Sequence, residues 1–184
     1  GNAGTAEIAS NYDNNTGDDT FSIIQFCKTK NIDMVFIGPE APLARGMADE
    51  LRQAGIAAIG PGQNAARLES SKAFSKAFMQ KYNIPTAQAE VIDNMSTFEE
   101  CLDSIQGKIV IKKSGLAAGK GVLESDDKAQ ITEFGKQILK NDSLLIEEYL
   151  EGYELSIFLL MDGQDYILLP ACADFKKAGE GDTG

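Results

Sequence analysis

Asp33-Met34-Val35-Phe36-Ile37-Gly38 is a short apolar run that stops at glycine, which predicts a buried strand. Behind it, Leu43, Met47 and Leu51 recur at four-residue spacing. That spacing predicts a helix over 43–54, with Gly55 at the position of a C-cap glycine. Ile56-Ala57-Ala58-Ile59 is the next strand. Strand, helix, strand at this tempo is a parallel βαβ unit. Upstream, Phe21, Ile24 and Phe26 or Cys27 give residues 20–30 one apolar side. These elements read as part of a doubly wound α/β domain. Ligands of such sheets gather beyond the carboxyl ends of the strands, here Gly38-Pro39-Glu40 and Gly60-Pro61-Gly62.

The pattern then changes. Ala66, Leu68, Phe74, Phe78 and Met79 share a side of one long helix over 64–82, and Pro85 breaks the chain after it. Residues 88–92 form a strand. Ser96-Thr97-Phe98-Glu99 is a capping box that opens a helix to Ile105. Residues 108–113 and 121–124 are strands on either side of a Gly-rich loop. An amphipathic helix covers 126–140, and strands are expected at 144–149, 154–161 and 165–173. Asp162-Gly163 is a hairpin turn signal. The second half is therefore α+β, with a boundary near residues 62–68. No internal repeat or low-complexity segment interrupts the pattern.

Composition narrows the function classes. A chain of 184 residues buries about 70% of its unfolded surface and needs no disulfide or metal staple. Its formal net charge is −11, which disfavours a nucleic-acid binder or a peripheral binder of anionic membranes. It leaves room for a local basic pocket. Histidine is absent, so no His-based triad, His general base or zinc-protease helix exists. Cys27, Cys101 and Cys172 are far apart and odd in number, and read as free thiols of a reducing compartment, the cytoplasm. No apolar run reaches the ~20 residues of a membrane span, and the first residues are no signal peptide. The chain lacks an initiator Met and stops at Gly181-Asp182-Thr183-Gly184, so a piece of a longer polypeptide is expected.

Four stretches invite chemistry. In Ile109 to Val122, small residues let the backbone of Ser114-Gly115-Leu116-Ala117-Ala118-Gly119-Lys120-Gly121 approach phosphate oxygens, and Lys112 and Lys120 add positive charge. The spacing is not that of a Walker A loop, and the setting is strand–loop–strand rather than strand–loop–helix. A flexible hairpin with solvated lysines is the plain alternative. In Ile146 to Ser156, Glu147, Glu148, Glu151 and Glu154 lie beside apolar strands. Such an edge can bind adenine through its backbone and ribose through a carboxylate, or can simply be a solvated acidic turn. In Leu68 to Lys76, Lys72 and Lys76 stand one helical turn apart, for phosphate or for solubility. Gly60-Pro61-Gly62-Gln63-Asn64-Ala65 matches a dinucleotide fingerprint only formally, because Pro61 removes a backbone donor; a boundary turn fits better.

In this order, these motifs resemble the ATP-grasp enzymes, and among them the glycinamide ribonucleotide synthetases (phosphoribosylamine–glycine ligases). The resemblance covers essentially the whole chain. It rests on Gly1-Asn2-Ala3-Gly4-Thr5, Gly38-Pro39-Glu40-Ala41-Pro42-Leu43, Leu68 to Phe74, Ile111 to Val122, Glu147 to Gly152 and Gly179 to Gly184. It implies a partial Rossmann-like domain over 1–66 and a partial ATP-grasp domain over 67–184, with a nucleotide-lid subdomain at about 106–170. It implies that ATP phosphorylates glycine to glycyl phosphate, which 5-phosphoribosylamine then attacks, with magnesium as the metal. The implied ATP contacts are Lys72, Lys112, the lid Ser114, Gly115, Leu116, Ala117, Ala118, Gly119, Lys120 and Gly121, the adenine slot Glu147, Glu148, Tyr149 and Leu150, and Glu154 at the ribose. The implied substrate contacts are Gly38, Pro39, Glu40, Asp174, Lys176, Asp182, Thr183 and Gly184.

No catalytic residue is assigned within the chain. The metal ligands are expected after Gly184, so the chain alone is expected to be inactive. Small molecules are the expected partners of a monomer, with no nucleic acid and no membrane. The sequence departs from the family pattern at Lys113-Ser114, where a small residue and Asp are usual, and at Asp174-Phe175-Lys176-Lys177, where Asp-His-Lys-Arg is usual. The competing readings are another ATP-grasp carboxylate–amine ligase and a non-catalytic nucleotide-binding module.

Overall fold

The computed structural model describes residues 3–12, 19–117 and 119–175. Contacts divide the chain into two units, Gly1–Glu148 and Tyr149–Gly184. The first holds, in order, α1 (Ala3–Ala6), α2 (Thr20–Lys30), β1 (Met34–Phe36), α3 (Glu40–Ala44), α4 (Met47–Gln53), β2 (Ala57–Ile59), α5 (Gln63–Ser70) and α6 (Lys72–Lys81). It continues with β3 (Ala89–Ile92), α7 (Met95–Ser104), β4 (Ile109–Lys113), β5 (Val122–Ser125), α8 (Lys128–Ile138) and β6 (Leu144–Glu148).

The strands β1 and β2 pair in parallel, Met34 beside Ala57 and Phe36 beside Ile59. This is the βαβ pairing that the apolar runs predict. Cys27, Ile37, Met47, Ala48, Leu51 and Ile56 form the core beneath it. Gly55 sits at φ 81 after α4. Its N–H donates to Arg52 O and that of Ile56 to Leu51 O, both at 3.0 Å, which closes the helix as a Schellman turn. The single helix expected over 43–54 is in fact two. It starts earlier, because Pro39 and Pro42 fall where a helix has no N–H partners to lose. It breaks at Gly46, whose φ of 95 only glycine adopts freely.

The helix expected over 64–82 is also two helices. Ser71, at φ −139 and ψ 102, leaves the helical region and caps α6 by accepting from Phe74 N–H at 3.3 Å. The break is compensated from far along the chain. Ser71 forms a β-bridge with Gly115, and the Lys72 N–H donates to Ser114 O at 2.9 Å.

The strands β3, β6, β4 and β5 lie in that order in an antiparallel sheet. One face is covered by α7 and α8, with Ile92, Phe98, Ile111, Ile131, Leu144 and Ile146 among its buried residues. Asn94, not Ser96, caps α7: it accepts from Thr97 N–H at 2.9 Å. The helix starts at Met95 because that side chain already packs on the core. The fit between α7 and α8 depends on Gly135, where an added Cβ would fall inside the Phe98 ring. Glycine to alanine inside a helix ordinarily gains about 1 kcal/mol. Here overpacking reverses the sign, and Gly135→Ala is expected to cost about 1–3 kcal/mol, read from the denaturant midpoint.

The second unit holds β7 (Glu154–Ser156), β8 (Leu159–Met161), β9 (Tyr166–Leu168) and β10 (Cys172–Asp174). β7 pairs with β10 and β8 with β9, both antiparallel. Each long strand expected here is thus divided, because the chain changes pairing partner at Ile157-Phe158 and because Pro170 withholds an N–H. The hairpin falls at Asp162-Gly163, but its turn spans residues 162–165. Asp162 Oδ1 accepts from the N–H groups of Asp165 and Gln164, which hold its carboxyl below the usual range. Among the described residues, no helix is long and apolar enough to cross a membrane.

Candidate functional site

Alternation along the strands builds the site. Ile109 and Ile111 of β4, and Leu144 and Ile146 of β6, face the α7/α8 core. Their neighbours Lys112 and Glu147 therefore stand on the other face. α6 packs against β6 there and brings Lys72 and Lys76, four residues apart, to the same place. A cleft of about 320 Å³ opens between them, lined by Lys72, Lys76, Lys112, Glu147, Met79 and Thr86 among others.

Glu147 is the hub. Its side chain is 6% exposed and each oxygen meets a different lysine. Oε1 lies 3.1 Å from Lys76 Nζ and Oε2 lies 2.6 Å from Lys112 Nζ. Lys76, 8% exposed, also donates to Thr86 Oγ1 at 2.7 Å and to Ala87 O at 2.8 Å. Its three N–H donors are thereby all used. A buried charge network survives only when satisfied in this way. Lys112 is more open at 32% and keeps donors for the cleft. Among the described residues, no carboxylate pairs with Lys72. Of the lysine pair one helical turn apart on α6, Lys72 is the expected phosphate contact, and Lys76 joins the site through Glu147 instead.

The Gly-rich loop joins β4 to β5 beside this cleft. Its base is fixed. Lys113 N–H donates to Gly121 O at 2.7 Å, and Ser114 N–H to Ser143 O at 2.9 Å. The buried Ser114 hydroxyl accepts from Ala73 N–H at 3.3 Å, so it caps α6. Asp142 accepts from Gly115 N–H at 3.2 Å and lies 3.7 Å from Lys113 Nζ. Beyond this base Leu116 and Ala117 are half-buried, and Gly119 and Lys120 are exposed, with Gly119 at φ 78. Gly121 is buried where a Cβ would strike Ala117 and Lys113. Ala118 lies outside the described residues.

The other expected contacts are placed as follows. Glu147 sits within the sheet opposite both Ala89 and Val110. Glu148 is exposed, and both its N–H and its carboxylate engage Gln88, at 3.1 and 2.7 Å. Tyr149, Leu150, Glu154 and Asp174 belong to the second unit, where Glu154 and Asp174 are opposite each other across β7 and β10. Gly38 and Pro39 follow β1, and Glu40 opens α3; all three are exposed. Lys176, Asp182, Thr183 and Gly184 lie outside the described residues.

Among the described residues, no group of three or more His, Cys, Asp or Glu could hold a metal ion. The described residues therefore offer magnesium no cluster of that kind. The thiols are unpaired. Burial, with Glu90 accepting from Cys101 Sγ at 3.4 Å, pushes Cys101 up to about 11. Burial also raises Cys27. At pH 8 both stay mostly protonated, so a colorimetric thiol reagent is expected to label exposed Cys172 first, half-buried Cys101 more slowly and buried Cys27 last.

Residues 1–69 match the phosphoribosylglycinamide synthetase N domain, and residues 70–184 match the ATP-grasp (A) domain of the same synthetase. The phosphoribosylamine–glycine ligase of Mycobacterium leprae is 39% identical, over 100% of this chain and 45% of that protein. The crystal structure of the phosphoribosylamine–glycine ligase of Thermotoga maritima superposes with a TM-score of 0.77 at 30% identity, over 100% of this chain and 45% of that one. N5-carboxyaminoimidazole synthetase of Staphylococcus aureus, complexed with ADP, gives a TM-score of 0.71 over 91% of this chain and 44% of that one. At 15% identity, that likeness shows the fold alone. This chain spans about 45% of the length of the two ligases. Matched from residue 1 to residue 184 by that N domain and that ATP-grasp domain in turn, this chain belongs to the phosphoribosylglycinamide synthetase family.

Proposed function

We propose that this chain is the front portion of a phosphoribosylamine–glycine ligase, and that its cleft binds the phosphates of ATP. The observation that carries the reading is the meeting of Lys72 and Lys112 at one cleft, beside the anchored loop 114–121. A glycine carboxylate oxygen attacks the γ-phosphorus, ADP leaves, and glycyl phosphate forms. The amine of 5-phosphoribosylamine attacks the acyl carbon and expels phosphate, giving glycinamide ribonucleotide. The residues here supply charge neutralisation and positioning, which is most of what phosphoryl transfer asks of a protein. Lys72 and Lys112 offset the phosphate charge, and the loop 114–121 closes over the triphosphate.

The reading includes the adenosine contacts expected of Glu147 to Leu150 and Glu154, and the substrate contacts at Gly38, Pro39, Glu40, Asp174, Lys176, Asp182, Thr183 and Gly184. It includes the domain division at residues 66 and 67, a monomeric enzyme of the cytoplasm, and magnesium held outside the described residues. The test is ADP release by the full-length protein. It is expected only when glycine and 5-phosphoribosylamine are both present. ADP release that needs a different acid or amine would reassign the substrate, and ATP binding without any acid-dependent turnover would make the protein a nucleotide-binding module.

A further inference from the structure

We propose that Lys76 is a positioning residue for the nucleotide site, occupying one oxygen of Glu147 so that the other holds Lys112 at the cleft without neutralising it. The inference rests on the ATP reading of the cleft. Lys76 is buried, and its ammonium has spent its three donors on Glu147, Thr86 and Ala87, so it has none left for a ligand. Its effect must pass through Glu147. With Lys76 present, the buried carboxylate is shared by two ammonium groups, and the cluster Lys76–Glu147–Lys112 keeps one net positive charge. Without Lys76, Glu147 and Lys112 form a neutral pair at 2.6 Å, and Lys112 is drawn to its carboxylate rather than to a phosphate. In a half-buried cleft, one such charge changes anion affinity on the order of tenfold or more.

The experiment is calorimetric titration of the full-length protein with ADP, comparing wild type, Lys76→Met, Lys76→Gln and the double variant Lys76→Met/Glu147→Gln. Lys76→Gln keeps a donor for Thr86 or Ala87 and guards against misfolding of the methionine variant. Both single variants are expected to bind ADP about tenfold more weakly. The double variant again leaves one net positive charge on Lys112, so its affinity is expected to return to within about threefold of wild type. A merely structural role predicts no such return, because the double variant loses still more of the network. The proposal is overturned if the single variants bind like wild type, or if the double variant binds no better than they do. If wild type itself binds no ADP, the nucleotide reading falls and this inference falls with it.

Discussion

Replacing Lys112 with alanine in the full-length protein is expected to weaken ATP binding by about 10- to 100-fold, or about 1.4–2.8 kcal/mol. Lys112 reaches the cleft from the face of β4 opposite the core, and its ammonium is held 2.6 Å from Glu147 Oε2. The position is fixed before any nucleotide arrives, so little ordering entropy is spent on binding. The truncation removes a charge and frees one oxygen of Glu147, turning that carboxylate toward an incoming phosphate. Both changes act in the same direction. Lys112→Arg is not expected to rescue fully, because a planar fork does not fit where a point charge sits. Calorimetry reads the effect, and an unchanged ATP affinity would remove Lys112 from the site.

Glu147→Ala is expected to produce the largest loss of stability of any single substitution at the cleft, about 3–5 kcal/mol. The reason is what stays behind. Lys76 remains 8% exposed with an uncompensated charge, and Lys112 loses its partner. Replacing both members of the buried pair, as in Lys76→Met/Glu147→Leu, is expected to be far milder, because apolar groups of similar size carry no desolvation penalty. Denaturant melts of the single and double variants measure the difference. A single variant as stable as wild type would mean that the network is not dry. A double variant as unstable as the single would mean that its geometry, rather than its charge, holds α6 to the sheet.

Local signals in the chain predicted what is local in the structure. The apolar run before Gly38, the C-cap glycine at position 55 and the turn at Asp162-Gly163 each obey neighbours a few residues away. The features that escaped are those decided at long range. The helix break at Ser71 exists because Ser114 and Gly115, on another element, accept the main chain there. Periodicity alone carried the helix straight through. Ser114 looks like a phosphate-loop residue in sequence, and its hydroxyl is spent capping α6. Lys76 sat beside Lys72 on one helical face, yet nothing local distinguishes a solvated lysine from one buried on a carboxylate of β6. The start of α7 differs from the Ser96 box for a related reason: Met95 packs on the core, so the cap falls at Asn94.

The proposed function is that this cleft serves a ligase that activates glycine as an acyl phosphate. It is tested most directly by supplying the full-length protein with ATP, 5-phosphoribosylamine and glycine labelled with oxygen-18 in its carboxylate, and weighing the phosphate released. Attack of the carboxylate on the γ-phosphorus, followed by expulsion of phosphate from the acyl carbon, carries one carboxylate oxygen into the phosphate. One labelled oxygen per phosphate is expected, with the other kept in the amide product. Phosphate released without label would mean that water, not glycine, receives the phosphoryl group, and would contradict it.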